Sequence, residues 1–218
     1  MEIVWLGHSC FRLRAREAAI VTDPCPKSTG YNMGRPAADI VTVSHEHESH
    51  NAVEGVAGSP RIVRGPGEYE IAGVLITGIR TYHDNERGAQ RGTNTAFIIE
   101  AETLRLCHLG DLGHLPTPEM VEAMGAVDIL LVPVGGGDTL GAATAAETVS
   151  LLEPKLVIPM HYATPATTMK LEPLDRFLKE MGSSPALTPQ PRLSVSRTGL
   201  PHETQIAILD CKSGSKPA

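Results

Sequence analysis

The stretch Asp39-Ile-Val-Thr-Val-Ser44-His45-Glu-His47-Glu-Ser49-His50 decides the fold. Its first half is β-branched and nearly unbroken, the pattern of a strand buried on both faces. Three histidines follow at once. Side chains two apart on an extended chain share a face, so His45 and His47 can converge on one point, and His50 joins them if the chain turns helical there. Neutral imidazoles suit zinc, iron or manganese, and the end of a strand is a rigid place from which to present them. The competing reading is a polar surface loop in which the histidines meet by chance.

Two more apolar runs end the same way. Leu104 to Leu109 carries His108 and runs into Gly110-Asp111, and Leu156 to Ile158 runs into Pro159-Met160-His161. Three strand exits with histidine, one of them also with aspartate, make a six-ligand set of His45, His47, His50, His108, Asp111 and His161. Further strands are expected at Ile3 to Leu6, Phe11 to Leu13, Ala19 to Asp23, Arg61 to Arg64, Gly73 to Thr77, Thr95 to Glu100, Asp128 to Val132, Leu193 to Ser196 and Gln205 to Leu209. Helices come later. Thr117-Pro118-Glu119 gives a cap, a first-turn proline and an acid before Met120 to Met124, with Gly125 as the stop. Ala142 to Glu153 and Leu174 to Met181 are the other two, ended by Pro154 and Gly182.

The chain has 218 residues, with 19 Lys and Arg against 25 Asp and Glu, and a formal charge of −6. That balance opposes binding to nucleic acid. Its 21 glycines and 17 prolines lie between apolar runs and read as turns. No run approaches the ~18 to 20 apolar residues of a membrane span, so no membrane partner is expected. The opening lacks the parts of a secretory signal, and the four cysteines include no CxxC pair, which together fit a reducing cytoplasm. One domain over residues 1–211 with a frayed tail over 212–218 is the expected organisation.

In order along the chain, Gly7-His8-Ser9-Cys10-Phe11, Thr22-Asp23-Pro24, the histidine cluster, Gly65-Pro66-Gly67-Glu68-Tyr69-Glu70, Arg91-Gly92-Thr93-Asn94-Thr95, His108-Leu109-Gly110-Asp111 and Pro159-Met160-His161-Tyr162 resemble the metallo-β-lactamase superfamily. The likeness is to its small stand-alone metal-dependent hydrolases, near the ascorbate-6-phosphate lactonase branch. It implies an α+β fold, a four-layer αββα sandwich with metals at one edge between the sheets. It also implies that His45, His47 and His108 hold a first metal, that Asp111 bridges, and that His50 and His161 belong to a second. One position departs: the family loop reads His-x-His-x-Asp-His, and its aspartate position is Ser49. A neutral hydroxyl is a poor substitute for a carboxylate, so one tightly bound zinc and a weak second are expected, with manganese or iron as other metals.

Among secondary candidates, Asp23 either fixes a ligand histidine or starts the turn before Pro24. His83, Asp84, Arg87, Arg91 and Asn94 form a polar loop that offers guanidinium to an anion, with Arg91 favoured over Arg87. Gly135-Gly136-Gly137-Asp138 reads as a turn or as a close approach to a ligand. His8 and His114 read as structural, and His202 as a surface residue. The catalytic candidates are Asp111, His83 and Arg91. The expected function is metal-dependent hydrolysis of a small molecule such as a lactone or phosphoester, with anionic substrates included. The rival is a non-catalytic metal- or ligand-binding protein on the same fold, made credible by Ser49.

Overall fold

The structure, a computed structural model, describes residues 1–183 and 187–211. The expected tail over 212–218 lies outside the described residues. The first sheet is built from β1 (Glu2–Gly7), β2 (Cys10–Arg14), β3 (Ala19–Thr22), β4 (Ile40–Val43) and β5 (Arg61–Arg64), joined at its edge by the late strand β12 (Leu193–Ser194). Its order is β12-β1-β2-β3-β4-β5, with β3, β4 and β5 parallel. The second sheet contains β6 (Gly67–Ile71), β7 (Val74–Tyr82), β8 (Thr93–Ala101), β9 (Leu104–His108), β10 (Ile129–Pro133), β11 (Leu156–Met160) and β13 (Gln205–Ile206). Its order is β13-β11-β10-β9-β8-β7-β6, antiparallel from β6 to β9 and parallel from β9 to β13. Every residue of β4, β10 and β11 is buried, as their unbroken apolar runs require.

The helices α1 (Pro118–Met124), α2 (Ala142–Leu152) and α3 (Leu174–Glu180) all fall in the second half, where parallel strands need crossovers. α1 forms where its cap was read: the Met120 N–H donates to Thr117 Oγ1 at 3.4 Å. α2 ends at Glu153, which turns left-handed at φ 45°. Two expected strands are shorter than read. β12 stops at Ser194 and β13 at Ile206, because each is an edge strand with a neighbour on one side only. β6, which is not among the expected strands, is an edge strand paired with β7.

One apolar cluster joins both sheets, from Trp5, Phe11 and Ile40 to Phe97, Leu131 and Ile158. The architecture is an α+β sandwich of two mixed sheets with few helices, as the resemblance implies. Its consequence for function is positional. β1, β3, β4, β7, β9 and β11 all deliver their last residues to one rim, where crossing hydrogen bonds tie the sheets: Thr95 N–H to Ser44 O at 2.8 Å, and His161 N–H to His8 O at 3.4 Å.

Candidate metal centre

Each strand exit on that rim places a polar side chain. His8 follows β1, Asp23 follows β3, His45 to His50 follow β4, His83 follows β7, Asp111 lies just past β9 and His161 follows β11. Three overlapping groups have ligand atoms within 4.8 Å of one another: His8, His50, Asp111 and His161; His45, His47 and His50; and His45, His83 and Asp111. Asp111 is the hub. Its Oδ1 is 2.9 Å from His50 Nε2, and its Oδ2 is 3.3 Å from His83 Nε2, 3.5 Å from His161 Nε2 and 4.0 Å from His45 Nε2.

Outer partners orient these rings. Asp23 Oδ2 accepts from Ser44 Oγ at 2.6 Å, and Ser44 Oγ lies 3.0 Å from His45 Nδ1, leaving His45 Nε2 to face Asp111. His83 Nδ1 donates to the backbone carbonyl of Asp138 at 3.0 Å, which leaves a bare lone pair on Nε2. The Ser49 hydroxyl sits 2.6 Å from His47 Nδ1 and 2.8 Å from His50 Nδ1. Asn94 Oδ1 accepts the Asp111 N–H at 3.0 Å, while its Nδ2 donates to Thr81 Oγ1 and to the Leu109 carbonyl.

Of the six expected ligands, the structure brings five together and leaves one aside. His108 is buried, its Nε2 donates to the Ser9 carbonyl at 2.9 Å, and its Nδ1 accepts from Gly110 N–H at 3.2 Å. With one nitrogen donating and the other accepting, a neutral imidazole has no lone pair left for a metal. The expected convergence of His45, His47 and His108 is therefore replaced by that of His45 and His83 with Asp111. His83, a catalytic candidate from its polar loop, is brought to Asp111 by the pairing of distant strands. His8, read as structural, belongs to the buried group around Asp111. His114 is structural: it accepts from Tyr82 N–H at 3.3 Å, and its Nδ1 lies 2.8 Å from the Leu115 carbonyl.

Two glycines make room for the centre. A Cβ on Gly110 would lie 2.4 Å from Asn94 Oδ1, and one on Gly135 would lie 2.1 Å from the His161 carbonyl. The triple glycine is thus a turn that lets β10 exit against His161.

The electrostatics follow from burial and crowding. Burial opposes the charge on Asp111, but His161 and His50 beside it hold its carboxyl well below the usual carboxylate range. Burial also disfavours a charged His50, yet the Asp111 charge and hydrogen bond outweigh it and raise the ring to about 9. His45, desolvated and next to His50, is lowered to about 3. Among the described residues, the buried imidazole nitrogens without a hydrogen-bond partner are His45 Nε2, His161 Nδ1 and both of His8. Each such atom costs ~1–3 kcal/mol if left unmade, and imidazole lone pairs grouped around one carboxylate are a donor set a divalent cation fits.

Beside His45 opens a cavity of about 360 Å³ whose walls include Ser44, Arg64, Arg80, Arg91 and Thr95. Arg91, and not Arg87, lines it. Arg91 pairs with Asp138, and Arg64 with Glu46. Asp84 holds the Arg91 loop by accepting four backbone N–H groups, from Glu86, Gly88, Gln90 and Arg91.

Comparison with known proteins agrees with this geometry. A beta-lactamase superfamily domain model matches residues 2–161. A UPF0173 protein of Pyrococcus abyssi is 30% identical over 187 residues, covering 75% of this chain and 84% of that protein. A UPF0173 metal-dependent hydrolase of Methanopyrus kandleri is 27% identical over 221 residues, covering 84% and 93%. A crystal structure from Thermotoga maritima, described as a Zn-dependent hydrolase of the metallo-beta-lactamase superfamily, aligns with TM-score 0.78 and 37% identity over 95% of this chain and 97% of that one. By its fold, its histidine and aspartate centre and these likenesses, the chain belongs to the metallo-β-lactamase superfamily, as a metal-dependent hydrolase.

Proposed function

We propose that the substrate is a small lactone, phosphoester or similar ester carrying an anionic group, and that the metal is zinc, with manganese or iron suited to the same donors. His45, His47, His50, His83, Asp111 and His161 would hold the metal. The observation that carries this reading is the convergence of His45 Nε2 and His83 Nε2 on Asp111 Oδ2, at 4.0 Å and 3.3 Å, with each ring anchored from behind. When bound, the metal acidifies water and polarises the substrate oxygen.

The chain's own residues do the remainder. Asp111 gathers the imidazoles of His50, His83 and His161 around one carboxylate. Ser49 cannot take up a proton near neutral pH, so the proton for the leaving group comes from water or from another residue at the rim. The cavity beside His45 takes the anionic part of the substrate. There Arg80 lies opposite Thr95 in the β7–β8 register, and Thr95 is bonded to the residue before His45. Arg91 lies at the cavity wall, steadied by Asp138.

Support comes from three places: the donor set, the arginine-lined cavity beside it and the curated relatives. The test is a hydrolysis screen of lactones, phosphodiesters and thioesters with zinc-loaded, chelated and reloaded protein. Turnover lost on chelation and regained with zinc is expected. Bound zinc without turnover on any class would favour the binding-protein reading that Ser49 admits. Arg91→Ala and Arg80→Ala should each raise KM about tenfold for a carboxylated aryl ester and leave a neutral aryl ester unchanged.

A further inference from the structure

We propose that His8 is a ligand of a second cation, taking the coordination position that Ser49 leaves without a carboxylate. The proposal rests on the metal-centre reading above and adds to it a residue from an element outside the histidine loop.

His8 is 1% exposed, and neither of its ring nitrogens has a hydrogen-bond partner. Two other histidines of the same region show what a structural imidazole does. His108 and His114 each have both nitrogens engaged by the backbone. The His8 ring is instead packed on ligand candidates, its centroid 4.3 Å from that of His161 and 4.7 Å from that of His50. With His50, Asp111 and His161 it forms the one group of four whose ligand atoms all lie within 4.8 Å of one another, among the described residues.

The backbone is bent to put it there. The β1–β2 register shifts between Trp5 and Gly7, and His8 itself is left-handed at φ 53°. For a residue with a Cβ that conformation costs ~1–2 kcal/mol. The turn is held by Trp5 Nε1–H, which donates to the His8 carbonyl at 2.9 Å, and by the His161 N–H on the same oxygen. Three imidazoles and one carboxylate make four donors, the number and type that zinc takes in tetrahedral sites. The expectation of a weak second metal, drawn from Ser49 alone, then gives way to two metals per chain.

The experiment measures zinc content and competition with a chelator for the wild-type protein, His8→Asn and His8→Gly. Both variants tolerate a left-handed backbone and remove the imidazole. Two zincs are expected in the wild type. The variants should keep one and bind the second at least ~100-fold more weakly, a loss at the upper end of that for outer-shell partners. Titration of ¹⁵N-histidine-labelled wild-type protein with zinc provides the same reading without a variant: a His8 ring nitrogen should move with the second equivalent. Folded variants that hold both zincs as tightly as the wild type, or His8 resonances unmoved throughout the titration, would overturn the proposal. A wild type that binds no zinc at all would instead overturn the metal-centre reading beneath it.

Discussion

His83 Nδ1 lies 3.0 Å from the backbone carbonyl of Asp138, so the tautomer of a β7 histidine is set by the loop that follows β10. That contact separates His83 from His108 in kind. We expect His83→Asn to remove the first metal, read as zinc content. His108→Asn should leave zinc content intact and lower Tm, since it breaks only backbone hydrogen bonds worth ~1–3 kcal/mol when buried.

The Ser49 hydroxyl has one proton to share between His47 Nδ1 and His50 Nδ1. It donates to one ring and accepts from the other, so the two tautomers are coupled. Ser49→Ala should weaken zinc binding about tenfold by freeing both rings. Ser49→Asp should tighten the second cation and speed hydrolysis of esters with basic leaving groups, measured against a matched series of phenols.

Removing the metal should give the protein a stability maximum near pH 6.5. His8 and His45 are lowered by burial, His45 to about 3, so they oppose folding increasingly as pH falls below the ordinary 6.5. His50 is disfavoured as a cation by burial but raised by Asp111 to about 9; its contribution is complete below 6.5 and lost as pH rises through 9. Thermal melts of chelated protein from pH 4 to pH 10 check both limbs. With zinc in place of the proton on His50, the alkaline fall should shrink.

Asn94 is buried and uses its amide on three partners, one of them the Asp111 N–H. Asn94→Ala should cost ~1–3 kcal/mol in a denaturant melt and weaken zinc binding ~10–100-fold through Asp111. A variant that loses stability but binds zinc normally would show that Asn94 only braces β8 against β9.

What could be read along the chain was local. β4 declared itself through Ile40 to Val43 because a strand covered on both faces must be apolar at every position. α1 was legible from Thr117, Pro118 and Gly125, since cap and stop act within one turn. β6 was not, because Gly67–Ile71 is an edge strand whose Glu68 and Glu70 face solvent around Tyr69. The His45 to His50 cluster and His161 were legible as ligand candidates from their places at strand ends. His108 shares that signal, and only the positions of Ser9 and Gly110 show that its nitrogens are spent. His83 and His8 stand alone in the sequence; β7 and β1 bring them to Asp111 through pairings that no local pattern encodes.

His8, Asp23 and His161 hold left-handed backbone, at φ 53°, 38° and 53°. Each such residue carries ~1–3 kcal/mol of strain that glycine or asparagine would relieve. Selection of variants for heat resistance alone would therefore drift toward Gly or Asn at these three sites, and the most heat-resistant survivors would be those that had dismantled their own rim.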